Sequence, residues 1–182
     1  MSDTKATHTP ASGSSSSSSS EEFESAVSFT SDGRKVIKFY GERNPYGCFS
    51  NFSSHPFELH GKQWPTTEHY FQAQKFVGTP MEEKIRLAST PGESKKLGQS
   101  RKVTLRADWE QVKDDLMYEC VMAKFSQHDN IRRTLLNTED ALLVEHTSND
   151  RYWGDGGDGS GKNMLGKILM RVRDNLREQQ QQ

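Results

Sequence analysis

Seven consecutive serines, Ser14 to Ser20, divide this chain into two parts with different folding prospects. Residues 1–34, which contain them, have almost no spaced apolar side chains and cannot bury enough surface to offset the entropy of ordering a chain. They are expected to form a disordered tail, and the glutamines at 179–182 a frayed end. The remainder, residues 35–178, has the usual size of one domain. The overall hydrophobic content of 31% understates that domain, because the serine tail dilutes it.

Within the domain, apolar spacing and breaker residues predict an α+β fold: a helix-dominated compact single domain with a small β-sheet or hairpin. Val36–Tyr40 is β-prone, and Pro56–Leu59 with Lys62–Trp64 reads as a hairpin turning at His60-Gly61. Two threonines after Pro65 offer N-caps to a helix over 67–76, which Gly78-Thr79-Pro80 stops. Short helices follow over 81–88 and 94–99. Asp108 with Gln111 three places on resembles a capping box. The helix it opens would bury a face of Val112, Leu116, Cys120 and Ala123. A helix over 128–137 and a strand at Leu142–Val144 precede the last helix. There Leu165, Ile168, Leu169, Val172 and Leu176 form an apolar stripe.

Charge narrows the function. Lys and Arg number 24 against 25 Asp and Glu, which excludes a polybasic tail that wraps duplex DNA. A nucleotide or a strand end held in one pocket stays open. No apolar stretch approaches the ~20 residues of a membrane span, and the N-terminus has no signal-peptide core, so an intracellular protein, cytoplasmic or nuclear, is expected. Cys48 and Cys120 are far apart and form no CxxC, as suits free thiols. The six histidines show no metal-ligand spacing. No metal and no cofactor are expected.

Three stretches mix polar and aromatic residues. In Trp64-Pro-Thr-Thr-Glu68-His-Tyr-Phe-Gln72-Ala-Gln-Lys75-Phe76, the residues Glu68, Gln72 and Lys75 share a helical face. That face reads either as a solvated surface or, given Trp64, Tyr70, Phe71 and Phe76 around it, as the border of a pocket. In Tyr152-Trp153-Gly154-Asp155-Gly-Gly-Asp158-Gly-Ser-Gly161-Lys162-Asn163, the spacing approaches a P-loop. It fails because Asn163 replaces the magnesium-binding Ser/Thr and Asp158 would aim charge at an anion. Glycine backbone N–H groups with Lys162 at a helix start would still suit a phosphate or diphosphate, and Trp153 a base; a mobile surface turn is the plainer alternative. In Asn44-Pro-Tyr46-Gly47-Cys48-Phe49-Ser50-Asn51-Phe52, rings among small polar residues can stack on a base, or pin a loop to the core. Trp109 reads as a core anchor for its helix.

These stretches, in this order, resemble the NADAR (YbiA-like) family. The matching text includes Ile37–Tyr40, Tyr46-Gly47, Phe49–Phe52, Trp64–Phe76, Trp109-Glu110, Ala123–Phe125 and Tyr152–Gly157 through Leu165-Gly166. The resemblance implies a compact helical α+β fold and hydrolysis of ribosyl N-glycosidic bonds. It implies one of two substrate classes: ADP-ribose on guanine, in single-stranded DNA, RNA or nucleosides, or the phosphoribosylated aminopyrimidines of early riboflavin synthesis. A non-catalytic ADP-ribose reader is the alternative from another class. By motif, Glu68 becomes the catalytic acid/base, and Asn51, Trp109, Trp153 and Asp155 pocket residues. Tyr46, Gly47, Phe49, Gln72, Gly154, Lys162 and Asn163 complete the expected substrate contacts. Asp155 is the expected catalytic partner of Glu68, while Lys75, with Lys124 as fallback, would serve a route through a Schiff base.

Overall fold

A computed structural model describes residues 24–181. The elements run β1 (Val27–Phe29), β2 (Lys35–Phe39), a 3-10 turn at Gly47–Phe49, β3 (Phe57–Leu59), β4 (Lys62–Trp64), α1 (Thr67–Gln74), α2 (Pro80–Arg86), α3 (Pro91–Gly98), α4 (Trp109–Gln127), α5 (Asp129–Leu136), β5 (Leu142–Glu145) and α6 (Met164–Gln180). The fold is α+β with helices dominant. Two points at its ends differ from the sequence-based boundaries. Val27–Phe29 pairs antiparallel with β2, so the ordered domain starts before residue 35. At the other end α6 continues to Gln180. The serine run lies outside the described residues.

Three threonines start helices for the same reason. Thr66, Thr79 and Thr90 have extended backbone, and each hydroxyl accepts a hydrogen bond from a first-turn N–H of α1, α2 or α3. Pro80 and Pro91 follow at the first helical position, where a missing N–H costs nothing. Thr90-Pro91 thus opens α3 instead of merely separating two helices. The expected capping box of α4 does not form. Both carboxylate oxygens of Asp108 are taken by Arg106, at 2.6 and 2.8 Å, and the Asp108 side chain caps nothing.

The buried face of α4 also differs from expectation. Met117, Cys120, Val121, Lys124 and Phe125 face the core, whereas Val112, Leu116 and Ala123 line an open groove outside it. The true stripe contains a lysine, which hides its helical period. α4 packs between α1 and α6, and α6 lays its stripe of Leu165, Ile168, Leu169, Val172 and Leu176 against α4 and β5. Gly166 permits that approach, since a Cβ there would stand 2.1 Å from the Leu143 carbonyl oxygen. β5 pairs parallel with β2, with Ile37 opposite Leu143 and Phe39 opposite Glu145. The C-terminal end of β5 therefore emerges beside α1. Cys48 and Cys120 are free, and among the described residues no helix is long and apolar enough to cross a membrane.

Candidate active site

α1 is buried along its whole length. Its first turn is fastened to the loop after the 3-10 turn: the Asn51 carbonyl accepts from Glu68 N at 3.0 Å and from the Thr67 hydroxyl, which also donates to Asn51 Oδ1 at 3.0 Å. Glu68, Gln72 and Lys75 share one face, and they are linked in series. Gln72 Nε2 donates to Glu68 Oε1 at 2.8 Å, and Lys75 Nζ donates to Gln72 Oε1 at 2.6 Å. A single amide thus bridges a carboxylate and an ammonium.

This face borders a cavity of ≈ 310 Å³, whose walls include Asn51, Phe71 and Trp153. Phe71 and Trp153 meet edge to face, with centroids 5.1 Å apart. Two further carboxylates enter from the C-terminal end of β5 and the loop after it, Glu145 and Asp150, and Lys95 of α3 lines the same space. Beside it lies a second hollow of ≈ 350 Å³, lined by Arg101, Leu105 and Trp109; Lys75 and Gln99 border both.

Burial sets the electrostatics. Glu68 is only 6% exposed, and loss of water raises its pKa; the Gln72 hydrogen bond, Lys95 and Lys75 pull the other way without reversing it. Glu145 is raised to about 7 by burial, then by the negative charges of Asp150 and Glu68. Lys75 is lowered by burial, against the pull of Glu68. It also lies over the rings of Trp109 and Phe71, 5.5 and 5.8 Å from their centroids. The site thus holds two carboxyls shifted up and an amine shifted down, all by loss of water, as is common where protons are transferred.

Several residues singled out from the sequence are elsewhere. Asp155 does not line the cavity. Its carboxylate is engaged by His146 Nδ1 at 2.7 Å and by the backbone N–H groups of Gly157 and Thr147, at 2.8 and 3.2 Å. It pins the loop and faces a different, polar hollow together with Lys38, Gly159 and Asn163. Most N–H groups of the glycine loop are spent internally, which leaves few for an anion. Those of Gly156, Gly157, Ser160, Gly161, Lys162, Asn163 and Met164 all have protein acceptors. Lys162 is exposed, with its ammonium over Tyr152. Asn163 binds the β5 backbone through Glu145 N and Leu143 O, and Gly154 is buried among that strand's neighbours.

Phe49 is a core residue against Phe39 and Phe125; Tyr46 packs on it, and Gly47 lies within the 3-10 turn. These three support Ser50 and Asn51 at the cavity wall. Trp109, 6% exposed, stands behind Phe71 at 4.9 Å and reaches the neighbouring hollow. Lys124 is buried in the core, donating to Ser50 O at 3.0 Å and Ser53 Oγ at 2.6 Å, and burial lowers it to about 8. Glu68, Gln72, Lys75, Asn51 and Trp153 are the predicted residues that the fold brings together.

A family model described as the NADAR domain matches residues 38–177. The chain belongs to the NADAR domain family. Its relatives include N-glycosidase YbiA of Escherichia coli (strain K12), 50% identical over 141 residues, which cover 78% of this chain and 88% of that protein. An N-glycosidase of Nostoc punctiforme is 48% identical over 148 residues, 78% of this chain and 93% of its own. A riboflavin biosynthesis protein of Vibrio vulnificus is 39% identical over 142 residues, but those are only 39% of its length. The NMR structure of E. coli YbiA superposes on this fold with a TM-score of 0.76 at 48% identity, covering 81% of this chain and 88% of that one. Fold and family thus agree with the NADAR resemblance read from the motifs.

Glu145, Asp150 and Lys95 were not among the residues singled out from the sequence. The segment around Glu145 reads as an ordinary strand end. Only the parallel pairing of β5 with β2 carries that end to α1.

Proposed function

We propose that this chain is an N-glycosidase that hydrolyses the bond between C1′ of a ribose and a nitrogen of its base, with ADP-ribosylated guanine as its substrate. The observation that carries the reading is Glu68: a buried carboxyl held by Gln72 in a cavity walled by Phe71 and Trp153. Cleavage of a ribosyl C–N bond builds positive charge at C1′ and the ring oxygen. A carboxylate fixed in a dry cavity stabilises that charge far better than one in water. Glu68 then accepts a proton from the attacking water. Two near-full-length relatives, from E. coli and Nostoc, are N-glycosidases by name.

The ADP-ribosyl part of the reading draws on the paired hollows. At ≈ 310 Å³ the main cavity is at the small end of ligand pockets, about 300–1,000 Å³. A ribose with its base fills it, while the adjoining hollow, with Arg101 and Trp109, gives room and a cation for a second nucleotide unit. A phosphoribosylated aminopyrimidine is the second reading, favoured by the riboflavin biosynthesis relative of V. vulnificus. Side-by-side hydrolysis of a guanine-ADP-ribosylated single-stranded oligonucleotide and of a phosphoribosyl aminopyrimidine separates them. Faster release of ADP-ribose is expected; turnover of the aminopyrimidine alone overturns the ADP-ribosyl assignment.

A further inference from the structure

We propose that Glu145 is the general acid of this site, giving its proton to the leaving nitrogen of the base as the C1′–N bond breaks. The inference rests on the N-glycosidase reading and adds the residue that activates the leaving group.

The position of Glu145 is fixed from both sides. As the last residue of β5 it pairs with Phe39, and His146 N donates to the Phe39 carbonyl at 2.9 Å. On the other edge Glu145 N donates to Asn163 Oδ1 at 3.0 Å, and the Glu145 carbonyl accepts from Asp155 N at 2.9 Å. A side chain carried on backbone held this firmly projects into the cavity from a rigid strand end, as a reacting group requires. Asp155 and Asn163 thereby acquire a part in the site: they hold the backbone that carries Glu145.

Nothing in the fold calls for a carboxyl there. Glu68 from α1 and Asp150 from the following loop border the same cavity, and Asp155 is close behind; all three oppose a negative charge on Glu145. Lys95 of α3 favours its charge, but less strongly than Asp150 or Glu68 opposes it, and among the described residues no ion pair includes Glu145. Three carboxyls crowded around one small space cost stability when ionised. Burial and these neighbours favour the protonated acid and push its pKa up to about 7, so near neutral pH a large share of Glu145 carries a proton to give.

The chemistry needs this second group. When the C1′–N bond breaks, its electron pair leaves with the base, and a nitrogen carrying that pair is a poor leaving group until protonated. Glu145 supplies the proton to the nitrogen. Water adds its oxygen to C1′ and gives a proton to the Glu68 carboxylate, so the products are the free sugar and the neutral base. Glu68 cannot donate and accept in the same step, and Asp155 is turned away towards His146.

The test compares Glu145→Gln with wild type on whichever ribosyl N-glycoside the wild type cleaves, with kcat and KM measured from pH 5 to 9. The expected result is a fall in kcat of about 100-fold or more at little change in KM. The wild type is expected to lose activity above about pH 7, and the variant should lack that alkaline limb. Glu145→Ala should regain part of that activity with added formate, which also reports on the acid if the glutamine variant folds poorly. Activity within a few-fold of wild type overturns the proposal, as does an alkaline limb that survives, a change confined to KM, or no formate rescue. A wild type inert on every ribosyl N-glycoside would instead overturn the N-glycosidase reading itself.

Discussion

Gly98, at the end of α3, packs so tightly on Gln72 of α1 that one added carbon has no room: a Cβ there would be 2.0 Å from the Gln72 amide oxygen. That oxygen accepts from Lys75, and the same amide donates to Glu68. The glycine therefore fixes the group that aligns the carboxyl with the amine.

Gly98→Ala should displace Gln72 and break both hydrogen bonds at once. The expected cost is about 1–3 kcal/mol of stability, typical of overpacking, with a loss of kcat larger than that change in folding explains. Thermal unfolding and steady-state kinetics on the same preparation check it; an unchanged kcat would show that the alignment is dispensable.

Stability should depend on pH through Glu145. A carboxyl whose pKa is higher in the folded state costs nothing while both states are protonated, and costs increasingly as pH rises from about 4 towards about 7. Glu145→Gln should therefore be more stable than wild type at pH 8, by about 1–3 kcal/mol, and the two should converge near pH 4. Chemical denaturation at the two pH values measures this. Equal stability at pH 8 would mean that the carboxyl is well solvated.

Asp155 behaves in the opposite sense. Burial alone would raise its pKa, but the hydrogen bond from His146 and the two N–H groups outweigh it and hold the carboxyl low. The stability it contributes is present above the ordinary carboxylate pKa and lost as pH falls through its lowered value. Asp155→Ala should lose about 1–3 kcal/mol at pH 7, because buried N–H groups lose their acceptor. That difference should vanish in strong acid. Unfolding curves from pH 2 to 7 test it, and a constant gap would assign the loss to packing.

Lys75 permits a second chemical route. Its amine is desolvated within the cavity, so a ring-opened ribose could form a Schiff base there. Borohydride added during turnover, followed by peptide mass analysis, should find an adduct on Lys75 if that route operates. Lys124, closed off in the core, should carry none. No adduct on any lysine leaves direct attack by water.

Much of this was legible in the sequence, and the exceptions have physical causes. The Glu68–Gln72–Lys75 face, the threonine N-caps of α1 and the stripe of α6 all follow from local spacing, which a sequence displays directly. The buried face of α4 was misread because Lys124 interrupts its apolar period; only the contacts with Ser50 and Ser53 show why an amine is there. Glu145 was invisible for another reason. Its meaning depends on β2 pairing in parallel with a strand about a hundred residues away, a long-range choice no local pattern records. The glycine loop shows the reverse: its composition suits a phosphate, while most of its N–H groups are already bonded within the protein.

The central claim is that Glu68 drives cleavage of a ribosyl C–N bond. It is tested most directly by incubating guanine-ADP-ribosylated single-stranded DNA with wild type and Glu68→Gln, and following release of ADP-ribose. Glutamine preserves shape and can still meet Gln72, so the fold should survive while the rate falls by about 1,000-fold. Release by wild type with almost none by the variant is the predicted result. Comparable release by both would contradict the account and remove Glu68 from the chemistry.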